Sequence, residues 1–150
     1  MRERYRHTQF GIVTSLALLI GVVGCLVAAA ATRNLGPLVL VAILLVILSQ
    51  FSRLTTVVSD DAFECWFGSG FIRRRIPLEG IKAASVVRHR WFYGFGIRLT
   101  PRGWLWNVSG LGIVELTLGN GRHFSVGSDE PERLAAALSQ SLDARPDLRL

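Results

Sequence analysis

The chain has 150 residues, half of them hydrophobic, and a formal charge of +6 from 17 basic and 11 acidic side chains. That length allows one domain with an anchor and excludes two full domains. Two cysteines, Cys25 and Cys65, exclude a disulfide framework, and the histidines at 7, 89 and 123 lack metal-ligand spacing, so neither a metal nor any other cofactor is expected.

Residues 1–9 read as a basic N-terminus carrying Arg2, Arg4 and Arg6. Residues 10–32 then run without a charge, long enough as a helix to reach roughly 34 Å. After Arg33 and Asn34, residues 35–51 are again uncharged and reach about 26 Å, with Pro37 tolerated in a first helical turn. A charge at a helix centre costs about 2.5–3.5 kcal/mol on insertion scales, so two such stretches predict a transmembrane helical hairpin over 10–51. Arginines flank its two ends, and Arg33 alone marks the turn. The positive-inside rule therefore places both termini and the following domain in the cytoplasm. A cleaved signal peptide, using the alanines at 28–31, is the alternative. Ala17, Gly21 and Cys25, and likewise Gly24 and Ala28, recur at a spacing that allows close helix approach or reflects only an alanine-rich helix.

From Leu54 the hydrophobic period becomes two. "LTTVVS", "AFECWF" and "FIRRRIP" are separated by Asp60–Asp61 and by Gly68–Ser69–Gly70. Phe63, Cys65 and Phe67 share one strand face, so Trp66 and Glu64 face outward. "IKAASVVRHR" does not reveal its faces. In "IVELTL", Val114, Leu116 and Leu118 point inward and Glu115 and Thr117 outward; Asn120–Gly121 then predicts a tight hairpin into "RHFSV". The chain closes with a helix announced by Asp129-x-x-Glu132 and Pro131, with Leu134, Leu138 and Leu142 on one stripe. The pattern is α+β, short antiparallel strands capped by one helix.

"SDDAFECWFGSGFIRRRIPLEGI", "RWFYGFGIRLTPRGWLWNVSG" and "VELTLGNGRHFSVGSDEPERLAAAL" together resemble the pleckstrin-homology-like (PH-like) domain of small two-helix bacterial membrane proteins. The resemblance covers residues 54–142, with 143–150 as a tail. It implies seven antiparallel strands in a partly open barrel or sandwich, plugged by a C-terminal α-helix, at the bacterial plasma membrane.

Residues 73–102 hold eight cations, Arg73, Arg74, Arg75, Lys82, Arg88, Arg90, Arg98 and Arg102, against the single acid Glu79. These are the candidate contacts to anionic lipid headgroups, each worth about 1 kcal/mol beside an anionic leaflet. Arg73 and Arg75 share a strand side; Arg74, on the other, must leave the core or pair with Glu79 or Asp61. Trp66, Trp91, Phe92 and Tyr93 are candidate membrane or partner aromatics, since rings with one polar atom favour the headgroup zone. Phe95, Ile97 and Leu99 read as core strand, and Trp104 and Trp106 as packed beneath the terminal helix.

No nucleophile–base pair or phosphate loop is present, and Gly94-Phe95-Gly96 lacks a third glycine and a following helix. The expectation is a non-enzymatic, membrane-anchored binding or scaffold module with no nucleic-acid role. Its partner is the anionic membrane surface or a protein; the alternative is an oligomerising subunit of a membrane complex, as a homo-oligomer or docked on another membrane protein.

Overall fold

The computed structural model of the chain describes residues 3–88, 96–108 and 112–144. The architecture is α+β, with two N-terminal helices, two separate β-sheets and a C-terminal helix.

Residues 3–9, expected in a basic N-terminus, and Phe10, expected to open the first span, instead form strand β1 (Glu3–Phe10). It leads straight into α1 (Ile12–Thr32), and α2 (Gly36–Phe51) returns to β2 (Arg53–Ser59). The turn between the helices rests on local chemistry. Arg33 adopts φ 48° at the end of α1, Asn34 Oδ1 accepts the Gly36 N–H at 2.9 Å, and Pro37 sits in the first turn of α2. The hairpin stands off the rest of the molecule, with Val22 the one residue buried in its described helices. Helix α1 is long and apolar enough to cross a membrane; α2 is apolar too but, at 16 residues, shorter than α1 and than a typical span.

The first sheet runs β1-β2-β3-β4, with β3 at Ala62–Phe67 and β4 at Ile72–Pro77. A 3₁₀ turn, Leu78–Gly80, leads to β5 (Ile81–Arg88). The second sheet runs β5-β8-β9-β7-β6, from β6 (Gly96–Thr100), β7 (Gly103–Asn107), β8 (Gly112–Leu118) and β9 (His123–Gly127). Two features depart from the expected barrel. The sheets do not close on one another, and β7 lies parallel to β9, an arrangement that no hairpin can make.

Between the sheets lies one core. Phe63, Cys65 and Phe67 meet Val114, Leu116, Phe124 and Val126, as the alternation of the strands predicts. Trp106 is the hub, with ring centroids 5.3 Å from Phe67 and 5.6 Å from Phe124. Phe51, the last residue of α2, packs its ring at a tilt against Phe67, centroids 5.2 Å apart, and ties the hairpin to this core. Helix α3 (Pro131–Asp143) contributes buried Leu134 and Leu138 and packs mainly on β5 and β8 while reaching β1 and β2, so it plugs one opening between the sheets.

Three expectations need correction. Glu115 faces away from the core as its alternation predicts, but it is not at the surface: it is only 7% exposed, lying with Leu105 and Ile113 in a buried layer on the far side of the second sheet. Leu99 and Trp104, expected in the core, form an exposed cross-strand pair at the edge of that sheet. Asp129 does not cap α3; Glu130 occupies the cap position without a side-chain cap bond, and Asp129 turns to His7.

Candidate functional site

Register sorts the first sheet's outer face into two rows, Arg6–Val57–Glu64–Arg75 and Thr8–Thr55–Trp66–Arg73. Trp66 therefore faces away from the core, as its alternation predicts. The guanidinium carbons of Arg73 and Arg6 lie 5.0 and 5.9 Å from the centre of its ring. Beside it Glu64, nearly buried, pairs with Arg73 and lies 3.4 Å from Arg75 Nε in a second ion pair. Arg75 also reaches Asp61 at 3.5 Å, and Arg4 pairs with Asp60. Arg4, Arg73 and Arg75 thus meet three carboxylates here and Arg6 meets Glu3, so the positive charge of this face is largely balanced.

Arg74 takes neither expected acid. It points to the core side of β4 and lays its guanidinium 4.8 Å from the centre of the Phe124 ring, where the quadrupole of the ring offsets part of its lost hydration. It is also beside Cys65, whose thiol burial pushes far above its ordinary range, with Arg74 opposing in part. That sulfur is a core atom and not a nucleophile.

The remaining cations separate. Lys82 sits exposed in a bulge between Ile81 and Ala83, Arg98 is exposed on β6, and Arg102, in the β6–β7 turn, approaches Glu115 at 4.0 Å. His123 Nδ1 lies 3.4 Å from the same carboxylate. Arg90, Trp91, Phe92 and Tyr93 lie outside the described residues.

A second grouping was not apparent from the sequence. It is the rim where the hairpin joins the sheets. The Gly11 N–H donates to Ser52 O at 2.8 Å, closing the base of the hairpin. The β3–β4 turn is fastened there through Gly68 N–H to Arg53 O at 3.0 Å and through Gln50 to Ser69. Gly68 has φ +48°, and a Cβ on it would stand 2.6 Å from the carbonyl oxygens of Ser49 and Gln50, so the turn can approach the helix only as glycine. Thr14 Oγ1 donates to Val108 O at 3.3 Å, bringing the second sheet to the same level. A cavity of about 160 Å³ lies between, lined by Thr14, Leu18, Ile47 and Phe51 of the helices and by Gly96, Asn107 and Val108.

Two phenylalanines project from this rim, Phe10 at 62% exposure and Phe71 at 91%. Arg53, at the start of β2, is exposed beside them. Strand register sets Arg88 opposite Gly112, and so at the same end of the second sheet as Gly96 and Asn107. Neither Arg53 nor Arg88 enters an ion pair among the described residues. Of the sequence candidates, then, Arg88 belongs to the rim and Arg73, Arg75 and Trp66 to the outer face. Phe10, Arg53 and Phe71 were missed because their grouping requires the turn of one hairpin to meet the base of another. Among the described residues no cluster of three His, Cys, Asp or Glu is placed to hold a metal.

Compared with protein-family models and with curated proteins, the chain matches none.

Proposed function

We propose that the chain is a membrane-anchored, non-enzymatic PH-like module, held on the cytoplasmic face of the bacterial plasma membrane, whose helix-proximal rim rests on the anionic surface. One observation carries the reading. The hairpin is rooted in adjacent strands by the Gly11–Ser52 bond, and the exposed rings of Phe10 and Phe71 gather at that root with Arg53, which has no ion pair among the described residues. With the hairpin in a bilayer, this rim lies at headgroup level, where aromatic rings and arginines are both favourable. Arg53 and Arg88 together contribute about 2 kcal/mol beside anionic lipid, enough to orient a domain that is already tethered. The PH-like assignment draws support from two packed sheets followed by a helix plugging one opening, although β1 and the parallel β7–β9 pair are additions to that plan.

The test uses the full chain in nanodiscs, with a nitroxide on Phe71→Cys in a Cys25→Ala background, Cys65 being too buried to react. In anionic nanodiscs the label collides more with oxygen, which partitions into lipid, than with an aqueous nickel chelate. Arg53→Glu with Arg88→Glu shifts it toward water. A label that stays aqueous whatever the lipid charge overturns the reading. Discrete crosslinked species in that case favour the alternative of an oligomerising subunit.

A further inference from the structure

Among the described residues strand β1 is outermost in the first sheet, so one backbone edge pairs with β2 and no strand lies along the other. Unpaired edges are templates for another strand, and folded proteins usually blunt or cover them. Here a bulge disturbs only the Glu3–Tyr5 end, and pairing with β2 runs regularly from Tyr5 to Phe10. Helix α3 lies alongside without closing over the strand. The groove between them has a volume of about 570 Å³ and is lined on one side by Arg4, Tyr5, Arg6 and His7. On the helix side Ala136 and Ala137 present short side chains, and that is what leaves room beside the strand.

We propose that this groove takes an extended, acidic segment of a partner protein, which adds a fifth strand to the first sheet along β1. Backbone hydrogen bonds to the open edge supply affinity, and alternate side chains of the segment enter the groove. The acidic preference follows from its walls, where Arg4 and Arg133 face one acid, Glu130, while the Arg6 guanidinium reaches over Trp66 and pairs with Glu3. The existing pairs Arg4–Asp60 and Arg133–Glu130 are solvent-exposed, and such pairs are worth at most about 1 kcal/mol, so incoming carboxylates can share these guanidiniums at little loss. His7 is excluded from that count because it already sits 2.6 Å from Asp129 and 3.8 Å from Glu130. A second copy of the chain is the poorer occupant. Antiparallel self-pairing centred on Tyr5 opposes Arg4 to Arg6, and centred on Arg6 it opposes the two Arg6 side chains; like charges directly across strands destabilise. The inference is independent of how the hairpin sits in lipid.

The experiment places the full chain in neutral-lipid nanodiscs with a fluorescent peptide of alternating glutamate and valine. Anisotropy is expected to give saturable binding, and hydrogen exchange to show new protection confined to the amides of β1. Arg4→Glu with Arg133→Glu should weaken binding by about tenfold or more, equivalent to about 1.4 kcal/mol. Unchanged exchange in β8 shows that this variant keeps its fold. The same peptide N-methylated along one edge keeps its charge and loses its strand donors, so it too should bind at least about tenfold more weakly. The proposal is overturned if the N-methylated peptide or a lysine-for-glutamate peptide binds as tightly. It is equally overturned if no peptide binds, or if protection appears away from β1.

Discussion

Glu64 shows how one carboxylate can change the meaning of a run of arginines. It is 7% exposed and holds Arg73 and Arg75, both of which keep about half their side chains in water. Removing its charge leaves two guanidiniums that can rehydrate, so Glu64→Gln should cost about 1–2 kcal/mol in chemical denaturation, less than a fully buried pair would. Arg75→Ala should cost under about 1 kcal/mol. Cys65 acts through protonation instead. Burial raises its thiol pKa in the folded state, while the unfolded chain ionises near the ordinary value of 9.0. The unfolded state therefore releases its proton first, and stability is level below about pH 9 and falls above it. Tyr5, raised from 10.0 by burial and then by Glu130, adds to the fall above about pH 10. Cys65→Val should remove the earlier part of this alkaline decline in melts at rising pH, and native Cys65 should resist alkylation until the chain unfolds.

At the scale of elements the parallel β7–β9 pair is the most demanding feature. Gly103 opens β7 with φ +137°, and a Cβ there would stand 1.9 Å from His123 O, the residue it faces across the pair. Neither the angle nor the space admits a side chain, so Gly103→Ala should destabilise by several kcal/mol, seen as a large fall in melting temperature. Helix α3 depends on its stripe. Leu138 is fully buried, and Leu138→Ala should cost about 2–5 kcal/mol as a cavity opens beneath the helix. That stripe was readable from spacing because a helix repeats its buried face every three or four residues. Its cap was not, because Asp129 had a second use in His7, and nothing nearby in sequence announces that pairing.

For the whole molecule, the hairpin is an insertion between two strands of one sheet. The bond from Gly11 to Ser52 brings the ends of the insertion together, so a turn of a few residues can replace 12–51 and make β1–β2 a plain hairpin. Such a chain should be folded and soluble, with dispersed amide resonances. The fragment 52–150, which lacks β1, bares the apolar edge of β2 and should aggregate; a well-folded monomer from it would contradict the role given to β1.

What the sequence determined by itself is what short-range regularity encodes. The uncharged runs give α1 and α2, Arg33-Asn34-Leu35-Gly36-Pro37 gives the turn between them, alternation puts Phe63, Cys65 and Phe67 inward and Trp66 outward, and Leu134 and Leu138 mark the face of α3. Tertiary structure decided every matter of partnership. It joined β1 to β2 across forty residues of hairpin, sent Arg74 to Phe124 and Arg73 and Arg75 to Glu64, set β7 beside β9, and left Leu99 and Trp104 at an open edge. The physical reason is that periodicity specifies which face of an element is buried. Which element covers that face depends on long-range contacts whose closure entropy and charge balance no local pattern records.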